Sequence, residues 1–116
     1  SQRCVIPASA YFEWPVVDGK KQCHRLTTND GSPWLMAGLW EHWAKEGDVR
    51  NSFTVITTTP AKQIEWVHSR MPLMVQPEDL DCWLTGSPDE AEALLVKKPD
   101  HPILVEPGDP KAPPEV

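Results

Sequence analysis

Residues 3–14 read RCVIPASAYFEW, and this stretch sets the character of the fold. Residues 4–8 and 11–14 are rich in β-branched and aromatic side chains, with two small residues between them, which predicts two short strands. Successive side chains of a strand point to opposite faces. We therefore expect Tyr11 and Glu13 on one face and the other two aromatic residues on the opposite face. The stretch predicts β-structure that holds a carboxylate among aromatic rings.

Turn residues divide the rest of the chain into short elements, beginning with the hairpin signal Asp18-Gly19. Strand-like composition is found over residues 21–28, 34–43, 53–58, 71–75 and 103–105, whereas the polar residues 45–51 indicate a surface loop. Proline at the first helical position predicts helices over residues 60–68, 77–84 and 88–98, the last with Ser87 and Glu90 as a capping box. This alternation predicts an α+β fold with a mainly antiparallel sheet and two or three short helices.

Composition limits the size of the fold and its partners. The 116 residues suffice for one small domain, expected over residues 1–106, and the proline-rich tail over residues 107–116 is predicted to be disordered. The formal net charge of −6 argues against indiscriminate nucleic-acid binding, because that affinity comes from Lys and Arg that neutralise phosphates. Any nucleic-acid site must then be a local basic groove. Six tryptophans are many for a small core, so several are expected to line a groove or a partner surface.

Membrane, metal and disulfide roles find no support in the sequence. No apolar run approaches the roughly 20 residues that cross a bilayer, and no charged-then-apolar leader opens the sequence. Cys4, Cys23 and Cys82 form no C-x-x-C pair and lie at no ligand spacing from His42 or His101. We expect free thiols in a reducing compartment, the cytoplasm (nucleoid-associated) or a eukaryotic nucleus. The sequence predicts no cofactor, no metal and a monomer.

Glu13 and His68 are candidates for acid–base chemistry, because a carboxyl and an imidazole can move protons near neutral pH. The alternative for Glu13 is a solvent-facing position on an edge strand. His68 is predicted at the end of a helix, where the dipole favours a histidine without any chemical role. Arg70 is a candidate for binding a phosphate or carboxylate, or else a solvated surface arginine. His24 and His42 are given no role.

Three blocks in order form a more specific pattern: RCVIPASAYFEW at residues 3–14, SFTVITTTP at residues 52–60 and VHSRMP at residues 67–72. They resemble the SRAP family, the SOS-response-associated peptidase or abasic-site-processing proteins. The AGLWEHW and PLMVQPEDLDCWL segments also fit this family in order and character. The resemblance covers about residues 3–84.

The resemblance implies a barrel-like, mainly antiparallel fold, a role in DNA repair and binding to abasic sites in single-stranded DNA. It also implies autopeptidase and lyase-type activity. An N-terminal cysteine, exposed by self-removal of the initiator methionine, would bond covalently to the opened sugar aldehyde through a thiazolidine ring. By the same resemblance Glu13 would be the acid/base for ring opening, crosslinking and self-processing, and His68 would assist Schiff-base chemistry and orient the sugar. Trp14, Thr57 and Arg70 would line the DNA cleft.

The sequence departs from this family at both ends. The family block beginning MCGR, which carries the nucleophile, is absent, as is the segment with the family's catalytic Asn and several DNA-binding arginines. Cys4 matches a structural cysteine of the family and, as an internal residue, cannot offer a free α-amine. Residues 101–116 do not match the family's usual C-terminal block. We therefore expect this sequence to be the C-terminal portion of an SRAP domain that would not crosslink DNA alone.

Two other functions stay open at the level of sequence. The missing nucleophile and the acidic charge are compatible with a non-catalytic module that binds single-stranded DNA or protein. A peptidase acting on other proteins would need a cysteine nucleophile assisted by His68, and this chain supplies no such cysteine.

Overall fold

A computed structural model describes residues 2–111, which form short antiparallel strands and two short helices. The strands are β1 (Gln2–Ala8), β2 (Tyr11–Glu13), β3 (Val16–Val17), β4 (Lys20–Lys21), β5 (His24–Thr28), β6 (Trp34–Lys45), β7 (Asp48–Val55), β8 (Thr57–Thr58), β9 (Met71–Pro72) and β10 (Ile103–Pro107). They pair as β1-β6-β7, β10-β5-β2, β3-β4 and β8-β9, and each of these ladders is antiparallel. The predicted α+β class with mainly antiparallel strands is confirmed. Over residues 2–111 the ladders do not close into a barrel.

A hairpin centred on Asp18-Gly19 carries the first candidate site residue. Both turn residues have positive φ, 51° and 78°, as in the type I′ turn whose twist matches that of the flanking strands. The register of β3 with β4 continues outward into β2 and β5, where Glu13 lies opposite His24. The predicted turn is therefore confirmed, and the strand predicted over residues 21–28 is interrupted at residues 22–23.

The turn between β6 and β7 differs from the loop that the sequence predicted. Glu46 and Gly47 have φ values of 52° and 83°, so this turn has the same two-residue form as the first. Residues on both sides pair as far as Lys45 with Asp48, so the predicted loop over residues 45–51 is wrong. The Glu-Gly pair lacks the Asn or Asp that usually marks such a turn, which explains why the pattern looked like a polar loop.

The predicted helix over residues 60–68 is also wrong. Only a 3-10 turn forms, at Lys62–Ile64, followed by a hydrogen bond of 2.9 Å from the Val67 N–H to the Ile64 carbonyl. The buried residues Ala61, Ile64 and Val67 are spaced three apart, which suits three residues per turn better than 3.6. His68 therefore follows a tight turn and does not end a helix.

The two C-terminal helices form where predicted, and only the second is shorter than expected. A 3-10 turn (Pro77–Asp79) leads into α1 (Leu80–Thr85), and α2 (Pro88–Glu92) continues as a 3-10 turn that ends at Val96 and not at residue 98. The predicted capping box is confirmed: the Ser87 N–H donates to Glu90 Oε1 at 2.9 Å, and the Glu90 N–H donates to Ser87 Oγ at 3.2 Å. These bonds with Ser87 hold the pKa of the Glu90 carboxyl below its usual range.

The last strand extends beyond its prediction. Pro107 pairs with His24 across β10 and β5, and the Gly108 N–H donates to the Cys23 carbonyl at 3.1 Å. The start of the predicted disordered tail thus belongs to the sheet. Residues 112–116 lie outside the described residues, so the disorder expected there stays a prediction.

Two clusters of buried side chains hold these elements together. The first contains Leu26, Trp34, Met36, Ala61, Ile64, Val67, Met71, Met74 and Ile103, and the second contains Ala37, Leu73, Val75, Trp83, Ala91 and Leu94. Of the strand predicted over residues 71–75, only Met71–Pro72 forms a regular ladder. Leu73 still bonds on two sides, accepting from the Ala37 N–H and donating to the Ile56 carbonyl, each at 2.8 Å. The segment after His68 is therefore fixed by the core.

Candidate active site

Glu13 lies at the end of β2, on the face of the sheet that packs towards the core. Leu26, the strand partner of Tyr11, is fully buried, and His24, the partner of Glu13, is 7% exposed. Arg25, between them, is exposed on the opposite face. The side chain of Glu13 is 24% exposed. Although β2 is an edge strand, the Glu13 side chain is partly withdrawn from solvent. The alternative of a solvent-facing Glu13 is therefore excluded.

His68 meets Glu13 from a distant part of the sequence. Its Nε2 lies 3.9 Å from Glu13 Oε2, an ion-pair distance when the imidazole is protonated. Val67, next to His68, is buried in the first core cluster, and Tyr11, two residues before Glu13, packs against the same cluster. The fold therefore brings together the two residues that the sequence selected for proton transfer.

The other imidazole nitrogen has partners for both protonation states. His68 Nδ1 lies 3.1 Å from the backbone nitrogen of Arg70 and 3.0 Å from the backbone oxygen of the same residue. The N–H can only donate and the carbonyl can only accept. A neutral ring that accepts from the N–H carries its hydrogen on Nε2, facing Glu13, and a protonated ring can donate to the carbonyl instead. His68 can therefore gain or release a proton without losing its anchor to Arg70.

Arg70 is joined to Thr57. Its Nη2 donates to the Thr57 carbonyl oxygen at 2.7 Å, and its Nε donates to Thr57 Oγ1 at 3.3 Å. Antiparallel pairing of β8 with β9 brings Arg70 close to Thr57, because Thr57 lies opposite Pro72, two residues after Arg70. Arg70 remains exposed, so its unused donors face solvent beside the acid–base pair. Two of the three residues predicted to line a cleft are thus in direct contact.

Trp14, the third of them, is linked to the site through the chain. It follows Glu13 directly and is 50% exposed, while the next residue, Pro15, is buried. Its ring is available to a ligand, but no hydrogen bond or ring contact ties it to His68 or Arg70 among the contacts of residues 2–111.

Tyr11 contributes a neutral hydroxyl near the carboxylate. Burial raises the pKa of Tyr11 above its usual range, and the negative charge of Glu13 raises it further. The ring packs edge-on against Trp34, with the centroids 5.7 Å apart. The phenol therefore stays protonated at physiological pH.

The sequence analysis missed two residues beside this site. His24 was given no role, yet it is the strand partner of Glu13, and its Nδ1 lies 2.9 Å from the Gln22 carbonyl. Trp66 packs perpendicular to the His24 ring, with centroids 5.7 Å apart and an angle of 88°. Counting outward from the Asp18-Gly19 turn would have placed His24 opposite Glu13. No sequence signal places Trp66 against His24.

Two features are absent from the part of the chain that the structure describes: a cluster of metal ligands and a membrane-spanning helix. Across residues 2–111, no three His, Cys, Asp or Glu side chains group as metal ligands. Over the same residues, no helix has the length and apolar character needed to span a membrane.

The fold and site define an α+β protein with a Glu–His pair beside a Thr–Arg pair. Residues 1–107 match the family model described as SOS response associated peptidase (SRAP), so this chain belongs to the SRAP family.

Relatives named abasic site processing proteins agree with that assignment, and a solved structure has a similar fold. The chain is 36% identical over 107 residues to an abasic site processing protein of Saccharomyces cerevisiae, a match that covers 86% of this chain and 28% of the relative. It is 34% identical over 101 residues to an abasic site processing protein of Bacillus subtilis, a match that covers 83% of this chain and 46% of the relative. A crystal structure of a Bordetella bronchiseptica protein is similar with a TM-score of 0.83 and 26% identity, covering 93% of this chain and 55% of that one. The chain thus spans less than half the length of these two relatives.

Proposed function

We propose that this chain is part of an abasic-site processing protein that binds single-stranded DNA and acts on the sugar at the abasic position. The observation that carries the proposal is the approach of Glu13 and His68, 3.9 Å apart, beside the exposed Arg70–Thr57 pair. The relatives named abasic site processing proteins support the substrate class. In this role the protein would work wherever the DNA is, in the cytoplasm or in a nucleus.

The first proposed step is opening of the abasic sugar. Opening breaks the bond between C1′ and the ring oxygen and gives an aldehyde, with one proton leaving the C1′ hydroxyl and one arriving at the ring oxygen. Glu13 as a carboxylate would accept the first proton, and His68 as an imidazolium would supply the second. Proton transfers of this kind contribute roughly 10²- to 10⁴-fold to rates.

The second proposed step is covalent capture. In the chemistry implied by the family, the amine and thiol of one N-terminal cysteine add to the aldehyde, form a C–N and a C–S bond and release one water. Cys4, Cys23 and Cys82 are all internal, so none of them offers an α-amine for this ring. The nucleophile would come from residues outside this sequence, and Glu13 and His68 would move the protons that the addition and water loss require.

DNA would be held by a small basic and aromatic surface in an acidic protein. Arg70 would contact a phosphate with the donors that Thr57 leaves free, and Trp14 would stack with an unpaired base. With a formal charge of −6, binding should depend on this local surface and not on overall attraction.

The test compares three labelled single strands: one with an abasic site, one with a tetrahydrofuran analogue that has no aldehyde, and one undamaged. We expect the intact protein to give a band that survives denaturing electrophoresis with the abasic strand only. Glu13→Gln should slow its formation by about 10²-fold while leaving the anisotropy-measured affinity for the tetrahydrofuran strand unchanged.

Two outcomes would contradict the proposal. An unchanged rate in Glu13→Gln would remove this carboxylate from the mechanism. Binding to all three strands without any covalent band would favour the non-catalytic binding module over the abasic-site processing role.

A further inference from the structure

We propose that Trp66 is a second stacking platform, which holds the base of a nucleotide next to the abasic position. The proposal rests on the function proposed above and assigns Trp66 a role within the same site. It starts from the exposure of this ring: 56% of Trp66 is accessible, although the backbone around it is firmly held. Ile64 and Val67, on either side, are 2% and 5% exposed and anchor the turn in the core.

His24 contacts the Trp66 ring and restricts its movement. The His24 side chain is buried, and its Nδ1 lies 2.9 Å from the Gln22 carbonyl, which sets both the ring orientation and the site of its hydrogen. Trp66 meets this ring at 88°, the edge-to-face arrangement that aromatic pairs favour. An aromatic ring that is anchored by such a contact and remains half exposed is suited to stacking a flat ligand.

The position of Trp66 ties that ligand to the acid–base pair. His24, its support, lies directly opposite Glu13 across the β2–β5 ladder, where Cβ atoms are about 5 Å apart. Trp66 also precedes His68 by two residues. A base stacked on Trp66 therefore lies beside the place where Glu13 and His68 meet.

An unpaired base is the ligand that fits these features best. Bases of single-stranded nucleic acid present their faces to aromatic side chains, and stacking of this kind tolerates any sequence. Arg70, on the same segment, is exposed and can hold a phosphate of the same strand. Trp14 follows Glu13 and is 50% exposed, so the acid–base pair has a half-exposed tryptophan on each of its two segments. Such an arrangement would hold a strand through nucleotides that flank a missing base.

The test measures affinity for an undamaged single strand and for the tetrahydrofuran strand by fluorescence anisotropy at two salt concentrations. Trp66→Ala should weaken binding by roughly 5- to 100-fold, the range found for loss of one stacked base. The salt dependence should stay the same, because no ion pair is removed. Trp66→Phe should recover most of the affinity.

Trp43→Ala is the matched control. Trp43 is also half exposed, at 47%, but lies on the outer part of the β6–β7 hairpin against Arg50. Its replacement should leave affinity unchanged. Equal affinity in wild type and Trp66→Ala, or an equal loss in Trp43→Ala, would overturn the Trp66 assignment alone. Absence of binding by the wild-type protein would instead overturn the proposed function, and the platform with it.

Discussion

The two halves of strand β6 have opposite environments. Trp34, Met36, Ala37 and Gly38 in its first half are buried, whereas residues 41–45 in its second half are exposed, Trp43 among them. On the paired strand, Phe53 is 64% exposed. The first, inner half is apolar throughout, and the second, outer half sets Trp40 and Trp43 among polar residues. Both halves form a regular ladder, so hydrogen bonding alone does not distinguish them.

The difference comes from what packs on each half. The extended segment after His68 packs on the inner half. The Ala37 N–H donates to the Leu73 carbonyl at 2.8 Å, and the Val75 N–H donates to the Leu35 carbonyl at 2.7 Å. That same segment carries His68 and Arg70 to the site. The core formed on inner β6 therefore positions the candidate site, whereas the outer hairpin is an exposed two-stranded ribbon.

The largest effect should follow from a core substitution on the inner side. Leu73 is fully buried, so Leu73→Ala should lower the free energy of unfolding by about 2–5 kcal/mol, from lost burial and the cavity left behind. Chemical denaturation followed by tryptophan fluorescence measures this change. The control is Phe53→Ala on the outer hairpin, where the cost should be about 0.5 kcal/mol or less. If Phe53→Ala lowered the free energy of unfolding as much as Leu73→Ala, the outer hairpin would be packed in solution. The contrast between the two halves of β6 would then be wrong.

A smaller effect should arise where the two halves meet. A Cβ added at Gly38 would contact Ile6 Cδ1 and lie 3.0 Å from the Thr54 carbonyl oxygen, a backbone atom that cannot rotate away. Gly38→Ala should therefore destabilise the protein by about 1–3 kcal/mol through overpacking, measured by the same denaturation. Stability equal to wild type would show that β1, β6 and β7 are less tightly packed at this point than described.

Local signals predicted much of the fold but not all of its turns. The Asp18-Gly19 turn and the Ser87 capping box could be predicted because each depends on residues a few positions apart. Glu46-Gly47 adopts the same positive-φ turn as Asp18-Gly19, yet it gave no clear signal because Glu is not a usual first residue there. The prediction of a helix before His68 was wrong, because burial of every third residue favoured a tighter 3-10 turn.

The candidate site shows the same limit. Glu13 and His68 could be selected by residue type and by family resemblance, and Arg70 and Thr57 could be assigned to a cleft by the resemblance alone. Trp66 could not be selected, because the role proposed for it depends on a contact with His24, a residue far away in the sequence. Such contacts arise from tertiary packing and leave no periodicity in the chain.

A double-mutant cycle is the sharpest test of whether Glu13 and His68 act as one unit. Rates of covalent capture of an abasic single strand would be measured for the intact protein, Glu13→Gln, His68→Asn and the double variant. Each single change should slow the reaction by about 10²-fold, and the double variant should be little slower than either one, because the effects of groups that must act together in one step are not additive. If the double variant were slowed by the product of the two single effects, the two residues would act independently, and their proposed joint action would be wrong.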